Sequence, residues 1–313
     1  ECMVLLKNNG VLPLNKADDI AFIGEFAEKP RFQGGGSSHI HCFKTTSAVE
    51  AAQGLKVTYA RGYSVKDDVA TDEMIAEAVE NAKKAKVAVI FAGLPDSYEC
   101  EGYDRTHMAM PACQNELIEA VAAVNPNTVV VLYNGSPVEM PWIGCVKAVI
   151  EGYLGGQAVG IATVNVLFGD VNPSGKLPES FPKKLSDNPS YLYYGGEGNE
   201  ADYREGVFVG YRYYDKKDME VLFPFGHGLT YTTFRYGDFS VFQKDDRLLF
   251  TFTVENTGTR ASDEVAQVYA VPPASRVQKP LRQLVAFQRL KDVQPGEKRL
   301  VQLYAKVAEV RFY

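Results

Sequence analysis

The residues of this 313-residue chain that are best suited to chemistry lie in one short stretch, Glu99–Arg105. It contains three carboxylic acids, one guanidinium and a glycine: Glu99, Glu101, Gly102, Asp104 and Arg105. The stretch directly follows an apolar segment, residues 86–94, and α/β domains place catalytic and binding groups on loops after buried strands. A carboxyl group here can act as a general acid or base toward a substrate. The same residues can also form a solvated surface or pair with an arginine.

A second stretch, Gly34–Ser38 with the sequence GGGSS, is rich in glycine and raises the question of phosphate binding. It does not match the P-loop pattern because no Lys-Ser or Lys-Thr pair follows the glycines. It does not match G-x-G-x-x-G either, because the third glycine is missing. We therefore expect no nucleotide and no other cofactor. Two interpretations stay open: a flexible turn, or a loop whose glycines let the backbone approach a ligand closely.

The elements around these loops alternate between strand and helix from Asp19 to about Phe181. Apolar runs predict strands at residues 20–23, 55–59, 86–94, 128–133 and 146–151, and helical spacing of apolar residues predicts helices at 72–85, 114–124 and 158–168. Near-continuous Val and Ile strands joined by helices predict a mostly parallel sheet covered by helices on both faces. Ligands of such domains bind beyond the carboxyl ends of the strands, so both loops can lie at one edge of the sheet.

A different pattern begins at Phe239, where apolar and polar residues alternate. Leu248, Phe250, Phe252 and Val254 follow this period of two, which is typical of half-buried strands. The pattern predicts a small all-β sandwich that resembles a fibronectin type III domain. Segments 300–304 and 310–313 leave little room for the final strands, so we expect the sandwich to be incomplete.

Length and composition also favour two domains. The chain exceeds the limit of about 250 to 300 residues for one hydrophobic core. Its 46% of hydrophobic residues and 23% of charged residues are ample for globular cores. We predict an α/β domain at 1–190, an aromatic-rich linker at 191–235 whose tyrosines pack between domains, and the β-sandwich at 236–313.

Several classes of partner are disfavoured by charge and residue content. The net charge is −6 without a basic cluster, which argues against nucleic acid and anionic membranes, and no apolar run reaches the length of a membrane span. The five cysteines are an odd number without a C-x-x-C pair, so we expect free thiols, which favour the cytoplasm. His39 and His41 lie beside Cys42, but no second ligand pair follows at a recognised spacing, so we expect no metal.

Four segments together resemble glycoside hydrolase family 3, which is typified by β-glucosidases. They are Glu1–Leu14, similar to the start of the family's second domain; Arg31–Ser38, similar to its glycine-serine active-site loop; Glu101–Arg105 with Pro111 and Gln114, similar to its acid/base loop; and Leu222–Tyr231, similar to the hinge into its fibronectin-like domain. The four occur in the family's order, which is far more specific than any single one.

The resemblance implies a retaining, exo-acting β-glucosidase that hydrolyses terminal β-D-glucosyl residues from β-glucosides or short β-linked oligosaccharides. By motif position, Glu101 is the general acid/base and Ser37 binds the sugar. The family's aspartate nucleophile lies on a (β/α)8 barrel, which these 313 residues lack. That barrel can precede this segment, follow it or belong to a companion chain, so we expect this chain alone to be inactive. A homo-oligomer is compatible with the sequence.

Other assignments remain open at this level. The resemblance is also compatible with a β-xylosidase or another family 3 exo-glycosidase, and with a non-catalytic carbohydrate-binding or assembly module. Glu99 competes with Glu101 as the acid/base and would otherwise be a supporting carboxylate, whereas Asp104 and Arg105 can pair or fix the loop. Without the charge of the nucleophile, we expect Glu101 to titrate near an ordinary glutamate pKa of about 4.3.

Overall fold

The computed structural model describes residues 1–310 of the chain. They form two compact units, one spanning Glu1–Gly175 and a second that begins at Lys176. The first unit is α/β and the second is built mainly from antiparallel β-sheet. This is the predicted fold class.

The first unit contains the predicted alternation of strands and helices. Its elements are β1 (Val4–Asn8), β2 (Ile20–Ile23), α1 (Glu25–Glu28), α2 (Ala48–Ala51), β3 (Val57–Ala60), α3 (Asp72–Lys84), β4 (Val87–Gly93), α4 (Ala112–Val124), β5 (Thr128–Tyr133), β6 (Ala148–Glu151) and α5 (Val159–Leu167), with a 3₁₀ turn at Pro141–Gly144. The sequence patterns did not identify β1, α1 or α2, which are only four or five residues long. A helix of four residues, such as α1 or α2, spans about one turn, which is too short for a helical period to show.

One six-stranded sheet with the strand order β1-β6-β5-β4-β2-β3 forms the centre of this unit. Strands β2 to β6 run parallel to one another. Strand β1 lies at the edge of the sheet and pairs antiparallel with β6. Every residue of β4 and β5 is buried, as expected for central strands with both faces covered. Helix α3 packs against α4, and α2 packs against α5. The carboxyl ends of β2, β4 and β5 therefore lie side by side at one edge.

The two ends of the first unit meet. A Cβ atom on Gly175 would lie 2.4 Å from the carbonyl oxygen of Met3 and 2.9 Å from that of Cys2. The last residue of the unit thus packs directly on the residues that lead into β1.

The second unit contains a short helix and five described strands. Its elements are a 3₁₀ turn (Leu185–Asp187), α6 (Tyr211–Lys217), β7 (Phe234–Lys244), β8 (Arg247–Asn256), β9 (Ser262–Ala270), β10 (Gln283–Val293), β11 (Lys298–Lys306) and a second 3₁₀ turn (Val307–Val310). The strands form an antiparallel three-stranded sheet, β11-β8-β7, and an antiparallel pair, β10-β9. Residues 311–313, at the end of the predicted sandwich, lie outside the described part of the chain.

Both small sheets contribute to one hydrophobic core. Phe250, Phe252 and Val254 of β8 point into it, as their alternation predicted, together with residues of β9, β10 and β11. The tyrosines before the sandwich differ widely in burial, since Tyr214 is buried while Tyr203 is 84% exposed. Within residues 1–310, no helix is both long enough and apolar enough to cross a membrane.

Candidate active site

Three loops converge at the carboxyl edge of the sheet in the first unit. One follows β2 and α1 (residues 29–47), one follows β4 (94–111) and one follows β5 (134–140). Because β2, β4 and β5 are adjacent in the sheet, these loops are brought together although they are distant in sequence. We call them the glycine loop, the acidic loop and the β5 loop.

The glycine loop and the acidic loop pair through their backbones. Gly35 and Cys100 form an isolated parallel bridge, and the backbone N–H of Glu101 lies 3.5 Å from the carbonyl oxygen of Gly35. A Cβ atom on Gly35 would lie 2.7 Å from the Cys100 sulfur. A glycine at position 35 therefore allows the glycine loop and the acidic loop to approach this closely.

This pairing joins the two site residues that the sequence predicted. The backbone N–H of Ser37 donates to Oε2 of Glu101 over 2.6 Å, and both residues are exposed. Hydrogen bonding by the Ser37 hydroxyl and by its backbone N–H lowers the pKa of the Glu101 carboxyl below its usual range. We expected an ordinary pKa from the sequence, which could not show that Ser37 donates to this carboxylate.

Gly36 is required between the two residues. Its φ of +89° is a conformation that residues with a side chain rarely adopt. A Cβ atom there would lie 2.5 Å from the Cβ of Glu101 and 2.8 Å from its Oε2. Only glycine leaves the Glu101 side chain room to lie along the loop.

The second carboxylate of the acidic loop, Glu99, has a very different environment. Arg31 of the glycine loop donates from Nη1 to Glu99 Oε2 over 2.6 Å and from Nη2 to the Glu99 carbonyl oxygen over 2.8 Å. From the β5 loop, the Gly135 N–H donates to Oε2 over 2.8 Å, and the Ser136 hydroxyl donates to Oε1. Both carboxylate oxygens of Glu99 are therefore occupied, and this single side chain links all three loops.

The charges of this pair are largely shielded from water. The side chain of Arg31 is 5% exposed and that of Glu99 is 18% exposed. Burial by itself raises the pKa of Glu99, but hydrogen bonds from Ser136, Gly135 and Arg31 outweigh it, so the pKa lies below the usual range. Glu99 is thus held as an anion with its partner in place.

Arg105 also binds the β5 loop. Its Nη1 donates to the Ser136 hydroxyl over 2.7 Å and to the Pro137 carbonyl oxygen over 3.1 Å. Burial lowers the pKa of its guanidinium, whose Nε and Nη2 are buried and have no hydrogen-bond partner in the part of the chain that the structure describes. The loop-fixing role considered for Arg105 agrees with these contacts, whereas its pairing with Asp104 is not among the ion pairs of the described residues.

The structure thus brings Glu101 and Ser37 together and adds a network that the sequence patterns missed. Arg31 belongs to the glycine-serine motif Arg31–Ser38. No sequence pattern indicated that it forms an ion pair with Glu99, 68 residues away. Ser136 could not be found either, because a serine in a turn after a strand carries no specific signal. In the described part of the chain, no group of three or more His, Cys, Asp or Glu side chains could hold a metal ion.

The arrangement presents one exposed carboxylate beside a glycine-rich backbone. Glu101 can exchange a proton with a bound molecule, because its side chain reaches solvent and, among residues 1–310, is hydrogen-bonded only by Ser37. Glu99 cannot do so without giving up its partners. The geometry therefore favours Glu101 over Glu99 as the proton-transferring group.

Comparison with protein families gives two matches. Residues 3–231 match the model of the glycosyl hydrolase family 3 C-terminal domain, and residues 264–313 match that of the fibronectin type III-like domain. The first match covers most of the chain, including all three loops.

Individual relatives carry related names. The thermostable β-glucosidase B of Acetivibrio thermocellus is 54% identical over 311 residues, which cover 96% of this chain and 41% of that protein. An exo-α-(1→6)-L-arabinopyranosidase of Bifidobacterium longum is 44% identical over 92% of this chain and 40% of its own length. The crystal structure of a family 3 β-glucosidase from Bifidobacterium adolescentis superimposes with a TM-score of 0.94 at 43% identity, covering 98% of this chain and 46% of that one. The chain spans about 40% of the length of these curated relatives.

Proposed function

Because this chain belongs to glycosyl hydrolase family 3, we propose that it is the acid/base half of a retaining, exo-acting β-glucosidase. In this proposal Glu101 is the general acid/base and Ser37 contacts the substrate. The observation that carries it is the exposed Glu101 carboxylate, held by the Ser37 N–H at the carboxyl edge of the sheet. Ligands of open α/β sheets bind at that edge.

The reaction needs a second carboxylate, an aspartate nucleophile, which we assign to a (β/α)8 barrel in the same or a companion chain. In the first step the nucleophile attacks the anomeric carbon, the bond to the aglycone oxygen breaks, and Glu101 gives its proton to that oxygen. In the second step Glu101 takes a proton from water, the water oxygen attacks the anomeric carbon, and the nucleophile is released. The two carboxyl groups must lie about 5 to 5.5 Å apart.

The charge state of Glu101 supports a dependence on that partner. Beside Ser37 alone the carboxyl has a lowered pKa and is ionised near neutral pH, which suits a base and not an acid. A nearby carboxylate nucleophile would raise its pKa by repulsion between like charges. The proton needed in the first step would therefore be retained only when the two halves are together.

The substrate class rests on the relatives. The name of the 54% identical relative supports β-glucosides, and the name of the 44% identical relative supports α-L-arabinopyranosides as a second candidate. β-Xylosides and other family 3 substrates remain in the same class. A carbohydrate-binding or assembly module is the non-catalytic alternative, in which Ser37 and Glu101 serve recognition only.

The test compares Glu101→Gln with the unaltered protein after intact-mass analysis has established which polypeptides are present. The substrates are aryl β-glucosides, β-xylosides and α-L-arabinopyranosides. We expect Glu101→Gln to lower kcat/KM by about 10²- to 10⁴-fold for a poor leaving group such as phenol. With 2,4-dinitrophenyl glucoside, whose phenolate leaves without a proton, azide should restore turnover and yield a β-glycosyl azide, because azide attacks the accumulated glycosyl-enzyme without needing a base.

Glu80→Gln is the matched control. Glu80 is an exposed, ion-paired glutamate on α3, so the same chemical change there should leave activity intact. If Glu101→Gln retains full activity toward phenyl glucosides, Glu101 is not the acid/base. If the unaltered protein binds sugars but cleaves none of the panel, the non-catalytic module is the better assignment.

A further inference from the structure

We infer that Glu99 is a positioning residue for Glu101: paired with Arg31, it fixes the acidic loop against the glycine loop and so sets where the acid/base carboxyl lies. This inference rests on the proposed role of Glu101. It concerns a residue that does not itself reach a substrate, because both of its carboxylate oxygens are bound by other loops.

The contacts of Glu99 define its position closely. Arg31 binds the side chain and the main chain of Glu99 at once, with distances of 2.6 and 2.8 Å. A guanidinium used in this way fixes orientation as well as distance. The β5 loop closes the other side through Gly135 and Ser136, so Glu99 has one available position.

The path along the backbone from Glu99 to Glu101 is short. Only Cys100 separates them, and it is bridged to Gly35 with no room for a Cβ atom on that glycine. Arg31 lies just before Gly34–Gly36 on the glycine loop, which is the other segment of this backbone pairing. The Arg31–Glu99 ion pair and the hydrogen bond from Ser37 to Glu101 are therefore the two ends of one short backbone pairing.

The Glu101 end cannot maintain this pairing alone. Glu101 and Ser37 are exposed, and the backbone contact between Glu101 and Gly35 is long, at 3.5 Å. The Arg31–Glu99 end is shielded from water, where an ion pair is screened less. Loss of the shielded end would let the acidic loop shift, and a displacement of about 1 Å in a reacting group can cost about 100-fold in rate.

The test is Glu99→Gln in the intact enzyme, assayed with aryl glycosides of different leaving groups. Glutamine keeps the shape of Glu99 but directs N–H donors at Arg31 or Gly135. A displaced acid matters only where the leaving oxygen needs a proton, so we expect kcat/KM to fall about 10- to 100-fold for phenyl glucoside. With 2,4-dinitrophenyl glucoside, whose phenolate leaves unaided, kcat/KM should stay within about threefold.

A double variant separates positioning from general damage. If Glu99 acts through Glu101, Glu99→Gln added to Glu101→Gln should cause little further loss with phenyl glucoside. An equal loss for both leaving groups, or a full additional loss in the double variant, overturns the inference. Glu80→Gln should leave kcat/KM unchanged for both leaving groups.

Two further outcomes are informative. If Glu99→Gln does not fold, Ser136→Ala removes one hydroxyl donor to Glu99 and should show the same dependence on leaving group at smaller size. If Ser136→Ala instead lowers kcat/KM equally for both leaving groups, the inference is overturned. If Glu101→Gln itself shows no dependence on leaving group, the proposed function fails, which is a separate result from failure of the Glu99 role.

Discussion

Two carboxylates only two residues apart on the acidic loop have opposite surroundings. Glu99 is largely shielded and receives donors from Arg31, Gly135 and Ser136. Glu101 is exposed, and Ser37 alone among the described residues donates hydrogen bonds to its side chain. Both have lowered pKa values, but for different reasons: Glu99 because a set of partners outweighs its burial, and Glu101 because one residue donates to it.

This difference shows how one loop can combine rigidity with reactivity. A carboxylate whose oxygens are all occupied stabilises a conformation but cannot exchange a proton without disrupting it. A carboxylate with a single donor exchanges protons readily but does little to fix its loop. Because Glu99 fixes the acidic loop, the carboxyl group of Glu101 remains free to exchange a proton.

The largest effect should come from removing the partner of the shielded carboxylate. Arg31→Ala leaves the Glu99 charge shielded from water without its guanidinium, and breaking such a pair costs about 3 to 5 kcal/mol of unfolding free energy. Urea denaturation of the first unit measures this. Lys83→Ala, which breaks the exposed pair with Glu80 on α3, should cost less than about 1 kcal/mol. Equal losses for the two variants would mean that Glu99 is not an anchoring residue.

A methyl group at Gly36 should damage the Glu101 side of the comparison selectively. Gly36→Ala places a Cβ atom 2.5 Å from that of Glu101, and we expect kcat/KM for phenyl glucoside to fall by about 100-fold in the intact enzyme.

Gly54 provides a matched control for that change. It has the same φ of +89° but no atom within 4 Å of the added Cβ position. Gly54→Ala should therefore cost only the backbone strain, about 1 to 2 kcal/mol, with activity retained. If both variants lose activity equally, the contact between Gly36 and Glu101 has no functional weight.

Acid should weaken the first unit partly through Glu99. Because its pKa is lower in the folded than in the unfolded state, its contribution to stability is present above about pH 4.3 and is lost as the pH falls through the folded value. We expect Glu99→Gln to flatten the dependence of unfolding free energy on pH below about 4.3. Denaturation curves between neutral and acidic pH test this, and an unchanged slope would contradict it.

The smallest effect should follow from Ser37→Ala. It removes the hydroxyl but keeps the backbone N–H that donates to Glu101. The pKa of Glu101 should rise toward about 4.3 while staying below it. Carbon-detected NMR titration of the glutamate carboxyls measures the shift. A pKa that falls on substitution would show that the hydroxyl does not stabilise the carboxylate.

Much of the α/β unit could be predicted from sequence because its strands are apolar and alternate with helices along the chain. Strands β2 and β5 have the predicted bounds, and β4 differs by one residue at each end. The sequence patterns did not identify the edge strand β1, which pairs antiparallel with β6. Strand direction is a property of the assembled sheet.

The site divides in a similar way. Glu101 and Ser37 could be selected because each lies in a recognisable motif, and the pairing of β2 with β4 explains why their loops meet. The ion pair of Arg31 with Glu99 could not be predicted, because it depends on the side-chain directions in two loops whose sequences have no periodic pattern. The same holds for Ser136, whose hydroxyl is placed by the end of β5.

The contact between Gly175 and the residues leading into β1 has a consequence for gene architecture. A folding unit whose first and last residues touch can be spliced into another polypeptide as a cassette, since its insertion hardly separates the flanking sequences. Joining those ends and opening the chain elsewhere, at an exposed turn such as the one around Gly54, would give a circular permutant with the same sheet order.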